Sequence, residues 1–218
     1  MNTISTEDYI KNIFELQSHH GFATTNALAD ILKISPPSVT DMLQKLAKQK
    51  VLIYTPYKGA TLTRKGDKIA LKIIRKHRLW EIFLVEVLKF NWDEIHEEAE
   101  NFEHIMTDQM EEKIDKFLNF PKFDPHGSPI PNKNGVMPKI KLIKLSDASV
   151  GDELVIKRVS DEEKDLLKFV SKINLKINKK ISVIDKLSFD NSLVLKVDRR
   201  KQIISSKLAE NIFVEELL

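Results

Sequence analysis

The sequence contains no cysteine among its 218 residues. Disulfides, iron–sulfur clusters and thiolate zinc sites are therefore excluded, and histidine, aspartate and glutamate remain as the strong metal ligands. The sequence also lacks an apolar run approaching the ~20 residues that a membrane-spanning helix needs, and its amino terminus lacks the basic and apolar segments of a secretion signal. We therefore expect a cytoplasmic protein that makes no membrane contact.

Signatures of catalysis are missing as well. The sequence has no glycine-rich phosphate-binding loop, no serine or cysteine triad and no repeated Glu-x-x-His pair of the kind found in di-iron proteins. His96-Glu97-Glu98-Ala99-Glu100 approaches the zinc-protease pattern, but a glutamate stands in the place of its second histidine. The sequence predicts a protein that is not an enzyme and has no small-molecule substrate.

Charge is distributed unevenly along the chain, although the net charge is only +3. Residues 1–90 contain 14 Lys and Arg against 8 Asp and Glu, whereas residues 93–112 contain nine acidic residues and no Lys or Arg. The first part could attract phosphates, and the second could attract cations. Both runs are also compatible with solvated helix faces.

Residues 1–66 have the pattern of a winged helix-turn-helix domain. Apolar residues at helical spacing predict a first helix over residues 7–20, and Thr24-Thr25 and Ser35-Pro36-Pro37 are start signals for two further helices. Two short strand-like runs follow, joined by a Pro-Tyr-Lys-Gly turn that places Lys58 at the tip of a hairpin. We expect the third helix of this domain to enter the major groove of DNA.

The predicted DNA contacts fall into two groups. Residues expected to face the groove have small or polar side chains near the start of the third helix, and they are Ser35, Pro37, Ser38, Thr40 and Asp41. Residues expected to contact phosphates carry long basic side chains, and they are Lys45, Lys48, Lys58 and Arg64. Because few long side chains could read bases in a bidentate manner, recognition of DNA shape is expected to contribute.

Two helices rich in potential metal ligands are predicted next, over residues 67–89 and from Asp93 toward Leu118. The ligand-type residues recur mostly at spacings of three or four, which places them on narrow helix faces. They are His77, Glu81, His96, Glu100, Glu103 and His104. An apolar stripe runs beside the second set and consists of Ile95, Ala99, Phe102, Met106 and Met110. The pattern predicts a metal site at the edge of a buried face.

The rest of the chain divides into a linker and a small domain. Five of the eight prolines fall within residues 121–139, which indicates a linker. Short strand-like runs and one helix near residues 161–172 then predict a small β-barrel. The expected fold class is mainly α with a β-barrel module, or α+β overall. The expected domains are a winged helix-turn-helix over 1–66, a helical metal-binding and dimerisation domain over 67–120, the linker over 121–139 and an SH3-like barrel over 140–218.

Two segments carry a resemblance to a known family. Arg75-Lys76-His77-Arg78-Leu79-Trp80-Glu81 and the run His-Glu-Glu-Ala-Glu-Asn-Phe-Glu-His-Ile-Met-Thr-Asp, which starts at His96, closely resemble the diphtheria toxin repressor family of bacterial metal-dependent regulators. The resemblance extends from Asp8 through the Pro-His-Gly-Ser-Pro-Ile-Pro linker at 125–131, and the terminal domain more weakly resembles the family's SH3-like module. It implies a homodimeric transcriptional repressor that binds double-stranded operator DNA, takes a metal ion as co-repressor and controls metal-ion homeostasis.

The resemblance also implies which metal is bound. The family's iron branch places methionine and cysteine where this chain has Asp8 and Glu100, and carboxylates at both positions resemble the manganese branch. Hard oxygen ligands suit Mn²⁺, whereas soft sulfur favours softer metals. Mn²⁺ is thus the expected cofactor, with Fe²⁺ as the alternative and other divalent transition metals as activators in vitro. Lys11 stands where the compact manganese regulators without a third domain have glutamate, which implies that a second metal is not bound as it is in those proteins.

By the same resemblance, the primary metal site consists of Asp8, Glu100, Glu103 and His104. A second site draws on His77, Glu81 and His96 and is closed by the linker or the third domain, where the candidates are Asp124, His126 and Asp161. Asp8 has an alternative role, because it stands three residues after Ser5 and could complete a capping box at the first helix. His126 could instead be a surface residue of the proline-rich loop.

Two other functions remain open at the level of sequence. One is a metal-independent winged-helix regulator that senses a small molecule and uses the acidic and histidine residues for structure alone. The other is a metal-buffering or interaction protein in which the basic half has no DNA to bind. A chelator separates these functions. DNA binding that persists in chelator favours the metal-independent regulator, and absence of DNA binding under any condition favours the metal-buffering protein.

Overall fold

The computed structural model describes residues 6–161 and 163–217. The chain divides into two compact units. The first contains the described residues up to His77, together with Glu103–Ile105 and Pro131–Val136, and the second contains Arg78–Phe102, Met106–Ile130 and the described residues from Met137 onward. No helix among the described residues is long and apolar enough to cross a membrane.

The first unit has the predicted helix-turn-helix and hairpin. Its elements are α1 (Thr6–His20), α2 (Thr25–Leu32), α3 (Pro36–Lys48), β1 (Leu52–Thr55), β2 (Gly59–Leu62) and the first part of α4 (Arg64–Ile82). The predicted start signals are confirmed, since the side chain of Thr24 accepts a hydrogen bond from the Ala27 amide and that of Ser35 accepts one from the Ser38 amide. The possible capping box with Ser5 lies outside the described residues.

The three amino-terminal helices share one core. Ile13 of α1, Leu28 of α2 and Leu43 of α3 are fully buried together, and β1 pairs antiparallel with β2 along the same core. Burial of such side chains contributes about 1.5–3 kcal/mol each. Helix α1 is therefore held to α2 and to α3, the helix that is predicted to enter the major groove of DNA.

The second unit begins with the end of α4, which changes at Phe83–Val87 to a π-helical turn. Two further helices follow, α5 (Ile95–Glu103) and α6 (Asp108–Phe117). The prediction of one continuous helix from Asp93 toward Leu118 is wrong. Thr107 adopts an extended conformation and its side chain accepts a hydrogen bond from the Met110 amide, so it caps a new helix after a break.

The break changes the predicted faces of that segment. His104 lies in the turn after α5 and is not on the helix that carries Glu103. The predicted apolar stripe also stops there, because Ile95, Ala99 and Met106 are buried whereas Met110, on α6, is 41% exposed.

The remaining chain forms a six-stranded antiparallel sheet in the order β3-β8-β4-β5-β6-β7. Its strands are β3 (Ile143–Lys144), β4 (Glu153–Val159), β5 (Lys180–Lys186), β6 (Leu193–Val197), β7 (Arg200–Ile204) and β8 (Ile212–Glu216). Helices α7 (Lys164–Lys172) and α8 (Ser206–Ala209) accompany it. Strand β8 was not predicted, although it pairs with both β3 and β4. The predicted α+β fold class is confirmed.

Candidate metal centres

The first unit brings three predicted ligands together, and we call Asp8, Glu103 and His104 the Asp8 cluster. Each offers one ligand atom, and these atoms lie within 4.8 Å of one another. Asp8 comes from the first turn of α1, Glu103 ends α5 and His104 follows it. His104 Nε2 lies 2.8 Å from Asp8 Oδ1, and its Nδ1 lies 2.7 Å from Glu7 Oε2. Two carboxylates and an imidazole are a ligand set that suits a divalent transition metal.

The buried carboxylate of Glu103 is shared with two further residues. Lys11 Nζ lies 3.0 and 3.1 Å from its two oxygens, and His77 Nδ1 lies 2.5 Å from Oε2. Burial alone would raise the pKa of Glu103, but the hydrogen bond with His77 and the positive charge of Lys11 outweigh it and lower that pKa. Burial opposes protonation of His104, and the hydrogen bond with Glu7 and the charge of Asp8 outweigh it, so its pKa is raised.

The second unit gathers four potential ligands from three separate parts of the chain, and we call Glu81, Asp124, His126 and Asp161 the Asp124 cluster. Their ligand atoms also lie within 4.8 Å of one another. His126 Nδ1 is 3.9 Å from Glu81 Oε1 and 3.8 Å from Asp161 Oδ2. Glu81 and His126 are fully buried and Asp124 nearly so. The structure thus brings candidates from the predicted linker, Asp124 and His126, next to Glu81 and Asp161, and their role as ligands stays a prediction.

The linker loop is shaped so that its two ligands point the same way. Asp124 Oδ1 accepts hydrogen bonds from the amides of His126 and Ser128, at 2.9 and 2.8 Å. Its Oδ2 has no hydrogen-bond partner among the described residues and lies 3.5 Å from Arg78 Nε. The side chain thus closes its own turn with one oxygen and offers the other to the cluster.

Gly127 makes this loop possible. It has a φ of +86°, and a Cβ at this position would lie 1.9 Å from the carbonyl oxygen of Lys157 on β4. The neighbouring Val159 amide donates to the His126 carbonyl at 3.0 Å. Only glycine tolerates both the positive φ and the close approach of β4.

His126 is oriented by Trp92. Its Nε2 lies 2.8 Å from the Trp92 carbonyl oxygen, and its ring stacks on the indole with centroids 5.3 Å apart. A carbonyl only accepts, so Nε2 carries a proton and the opposite nitrogen, Nδ1, faces the carboxylates of the cluster. Within the described residues Nδ1 has no hydrogen-bond partner. A histidine fixed in this way by a carbonyl on its far nitrogen is typical of a metal ligand.

The Asp124 cluster is strongly acidic. Burial and then the charge of Glu81 raise the pKa of Asp124 to about 7. Three carboxyl groups around an imidazole, with Asp124 Oδ2 and His126 Nδ1 buried and without hydrogen-bond partners among the described residues, fit a hard or borderline divalent cation.

Three further predicted ligands are His77, His96 and Glu100, and their role stays a prediction. His77 contacts Glu103 in the first unit, as described above. His96 lies in the second unit, with Nδ1 at 3.7 Å from Glu81 Oε1 and Nε2 at 3.5 Å from Glu100 Oε1. Glu100 is exposed and is not grouped with the Asp8 cluster, so its role as a ligand stays a prediction.

The predicted DNA-facing residues lie on the surface of the first unit. All nine are exposed except Thr40, which is half-buried and donates to the Pro36 carbonyl. A cavity of about 610 Å³ lies between the start of α2, α3 and the hairpin tip, and it is lined by Thr24, Thr25, Asn26, Gln44 and Tyr57 among others. These five were not predicted. The Thr24 cap was a usable signal, since a helix amino terminus attracts phosphates.

Models of known domain families match the chain in three consecutive segments. They are "Iron dependent repressor, N-terminal DNA binding domain" over residues 1–60, "Iron dependent repressor, metal binding and dimerisation domain" over 63–132 and "FeoA domain" over 143–216. The order of these matches agrees with the order of the elements described above.

Individual proteins show the same relationship. The HTH-type transcriptional regulator MntR of Oceanobacillus iheyensis is 36% identical over 152 residues, which cover 70% of this chain and 97% of that protein. The iron-dependent repressor IdeR of Mycobacterium tuberculosis is 31% identical over 159 residues, covering 70% and 69%. A solved structure described as a manganese-dependent transcriptional repressor in complex with manganese superposes with a TM-score of 0.90 at 31% identity, covering 98% of this chain and 100% of that one.

A winged helix-turn-helix, together with clusters of acidic and histidine residues, defines the class of metal-dependent, DNA-binding transcriptional repressors. The chain belongs to the diphtheria toxin repressor family.

Proposed function

We propose that this protein is a homodimeric repressor that binds double-stranded operator DNA when Mn²⁺ occupies the Asp8 and Asp124 clusters, with Fe²⁺ as the alternative metal. It would act in the cytoplasm, control metal-ion homeostasis and have no catalytic activity. The observation that carries the proposal is the orientation of His126, whose Nε2 is held by the Trp92 carbonyl while its Nδ1 is directed at two buried or half-buried carboxylates. Such an arrangement favours a cation over any neutral ligand.

The Asp8 cluster connects the metal to the DNA-binding helices. Asp8 lies on α1, and α1 shares its core with α2 and α3. Glu103 and His104 come from a distant part of the sequence, so ligation by all three fixes α1 against that segment. When bound, a divalent cation supplies the positive charge that holds these opposed side chains together. In a dimer, fixing both copies of α1 would fix the separation of the two α3 helices, which must match the ~34 Å helical repeat of DNA.

The Asp124 cluster connects the metal to the linker and the third domain. Glu81 comes from α4, Asp124 and His126 come from the linker, and Asp161 precedes α7. Without a cation, the three carboxyl groups repel one another, and this repulsion weakens the attachment of the linker loop to α4. Neutralising it would order the segment between the helical region and the sheet.

The test is an operator-binding titration with Mn²⁺ at fixed salt. We expect a chelator to lower operator affinity by about 5–150-fold, and we expect Asp8→Ala and Glu103→Ala to remove the response to Mn²⁺. Glu97→Ala, an exposed acidic residue on α5, is the matched control and should retain the response.

Other outcomes would contradict the proposal. Operator binding that persists in chelator would favour a metal-independent regulator, and binding under no condition would favour a metal-buffering protein. An Asp8→Ala variant that responds to Mn²⁺ as the wild type does would show that the Asp8 cluster is not the activating site. Repeating the titration with Fe²⁺ under anaerobic conditions, at buffered free metal, compares the two proposed metals.

A further inference from the structure

Lys11 places a buried ammonium group directly on a proposed metal ligand. It follows Asp8 by three residues on α1 and is only 5% exposed. Its Nζ lies 3.0 and 3.1 Å from the two oxygens of Glu103 and 3.3 Å from Nδ1 of His77. Both oxygens of that carboxylate are therefore already in contact with a positive charge. Lysine is seldom buried unless it is paired, so these contacts account for its position.

We infer that Lys11 is a resident cation that competes with the divalent metal for Glu103 and thereby sets the metal concentration at which the Asp8 cluster fills. The inference rests on the proposed function of that cluster. Glu103 belongs both to the lysine contact and to the metal ligand set, and a carboxylate that is already neutralised gains less from a metal ion. The ammonium also lies close to the ligand atoms of Glu103. A divalent ion bound there would be repelled by the positive charge of Lys11 in a poorly screened environment.

A competing role and a purely structural role for Lys11 predict opposite changes in metal affinity when the residue is replaced. A structural ion pair stabilises the protein with and without metal, and its loss lowers metal affinity by disordering the ligand. A competing cation has the opposite effect on metal affinity, because its removal leaves Glu103 with a negative charge that the metal can neutralise. The sign of the change in Mn²⁺ affinity therefore distinguishes the two roles.

The experiment measures Mn²⁺ binding by the electron paramagnetic resonance signal of free Mn²⁺. The parent protein carries Asp124→Asn and Asp161→Asn, which remove two of the four ligands of the Asp124 cluster and leave the Asp8 cluster to be titrated. We expect Lys11→Met in this background to bind Mn²⁺ about ten-fold more tightly, because one positive charge beside the ligand has been removed. Lys11→Arg retains the charge and should not bind more tightly.

Lys68→Met is the matched control, since Lys68 is an exposed lysine of α4 in the same unit, and its Mn²⁺ affinity should equal that of the parent. A second readout is thermal unfolding. In chelator, Lys11→Met should unfold at a lower temperature than the parent, because Glu103 loses a counter-charge, and added Mn²⁺ should raise its unfolding temperature by more than it raises that of the parent.

An unchanged or weaker Mn²⁺ affinity in Lys11→Met overturns the competition and leaves the proposed function standing. Absence of Mn²⁺ binding by the parent protein, and by the wild type measured alongside it, overturns the proposed function and the competition together. If Lys11→Met does not fold, Lys11→Gln makes the same test, since its amide can donate a hydrogen bond to Glu103 without a charge.

Discussion

The Asp8 and Asp124 clusters use the same ligand types but differ in how their charge is balanced without metal. In the Asp8 cluster, Lys11 contacts both oxygens of Glu103, and the raised pKa of His104 favours a second positive charge. In the Asp124 cluster, three carboxyl groups surround one imidazole, and Arg78 Nε reaches one of them at 3.5 Å. Similar ligands are therefore electrostatically satisfied in one unit and mutually repulsive in the other. We expect metal to reposition the first cluster and to stabilise the second.

The largest effect is expected from removing Glu103, which tests whether the Asp8 cluster is balanced without metal. Glu103→Ala would leave the buried ammonium of Lys11 without this counter-charge and should lower the free energy of unfolding by about 3–5 kcal/mol. Urea denaturation in chelator measures this, with Glu97→Ala as the control. A loss no greater than that of the control would mean that the contact between Lys11 and Glu103 contributes nothing.

The next effect concerns pH, for which the two clusters should have opposite signs. The folded-state pKa of Asp124 is about 7, above the value of about 4 in an unfolded chain, so between these values the folded state binds more protons. Stability in chelator should therefore fall as pH rises through this window, by on the order of 4 kcal/mol. Asp124→Asn cannot titrate and should lose the decline, which makes it more stable than the wild type at pH above about 7.

Glu103 provides the contrast for that experiment. Its pKa is lowered in the folded state, so its contribution is present above the unfolded-state value and is lost as pH falls. Glu103→Gln should therefore reduce the loss of stability on acidification, whereas Asp124→Asn changes the neutral side of the curve. Equal profiles for the two variants would contradict the difference between the clusters.

The smallest effect is expected from a contact that supports His126 indirectly. Trp92 Nε1 donates to Ser171 Oγ at 2.6 Å, while the Trp92 carbonyl and ring hold His126. Trp92→Phe and Ser171→Ala should each lower the free energy of unfolding by about 1 kcal/mol and should not be additive. Mn²⁺ affinity of the Asp124 cluster should change little, because a phenyl ring still stacks and the carbonyl remains. A large loss of affinity would show that the indole contact itself orients the ligand.

Much of the helix-turn-helix could be predicted because its signals are local. Thr24, Ser35 and the prolines after it mark helix starts by their side-chain chemistry alone. The break before α6 was missed because buried residues on both sides of it keep a helical spacing, which concealed the cap at Thr107. Strand β8 was missed because its pairing with β3 and β4 depends on residues that are distant in the sequence.

The metal centres show the same limit. Helical spacing predicted that His77 and Glu81, one turn apart, share a helix face. Spacing cannot say which distant residue a side chain contacts, and His77 Nδ1 lies 2.5 Å from Glu103 Oε2. Asp124, His126 and Asp161 were grouped with Glu81 through the family resemblance, since nothing in their own spacing joins them. Lys11 and Trp92 act on ligands through contacts formed only by folding, so no local pattern indicated their roles.

Gly127 has a consequence for the role of the carboxyl-terminal third of the chain. The loop around it is pressed against β4, where Val159 donates to the His126 carbonyl and Lys157 leaves no room for a methyl group. A protein shortened after the linker would still contain Glu81, Asp124 and His126, yet it would lose both Asp161 and the strand against which the loop packs. The sheet therefore supports candidate ligands that other segments encode, and if the Asp124 cluster binds Mn²⁺ as proposed, we expect loss of the sheet to leave one fewer tightly bound ion per chain.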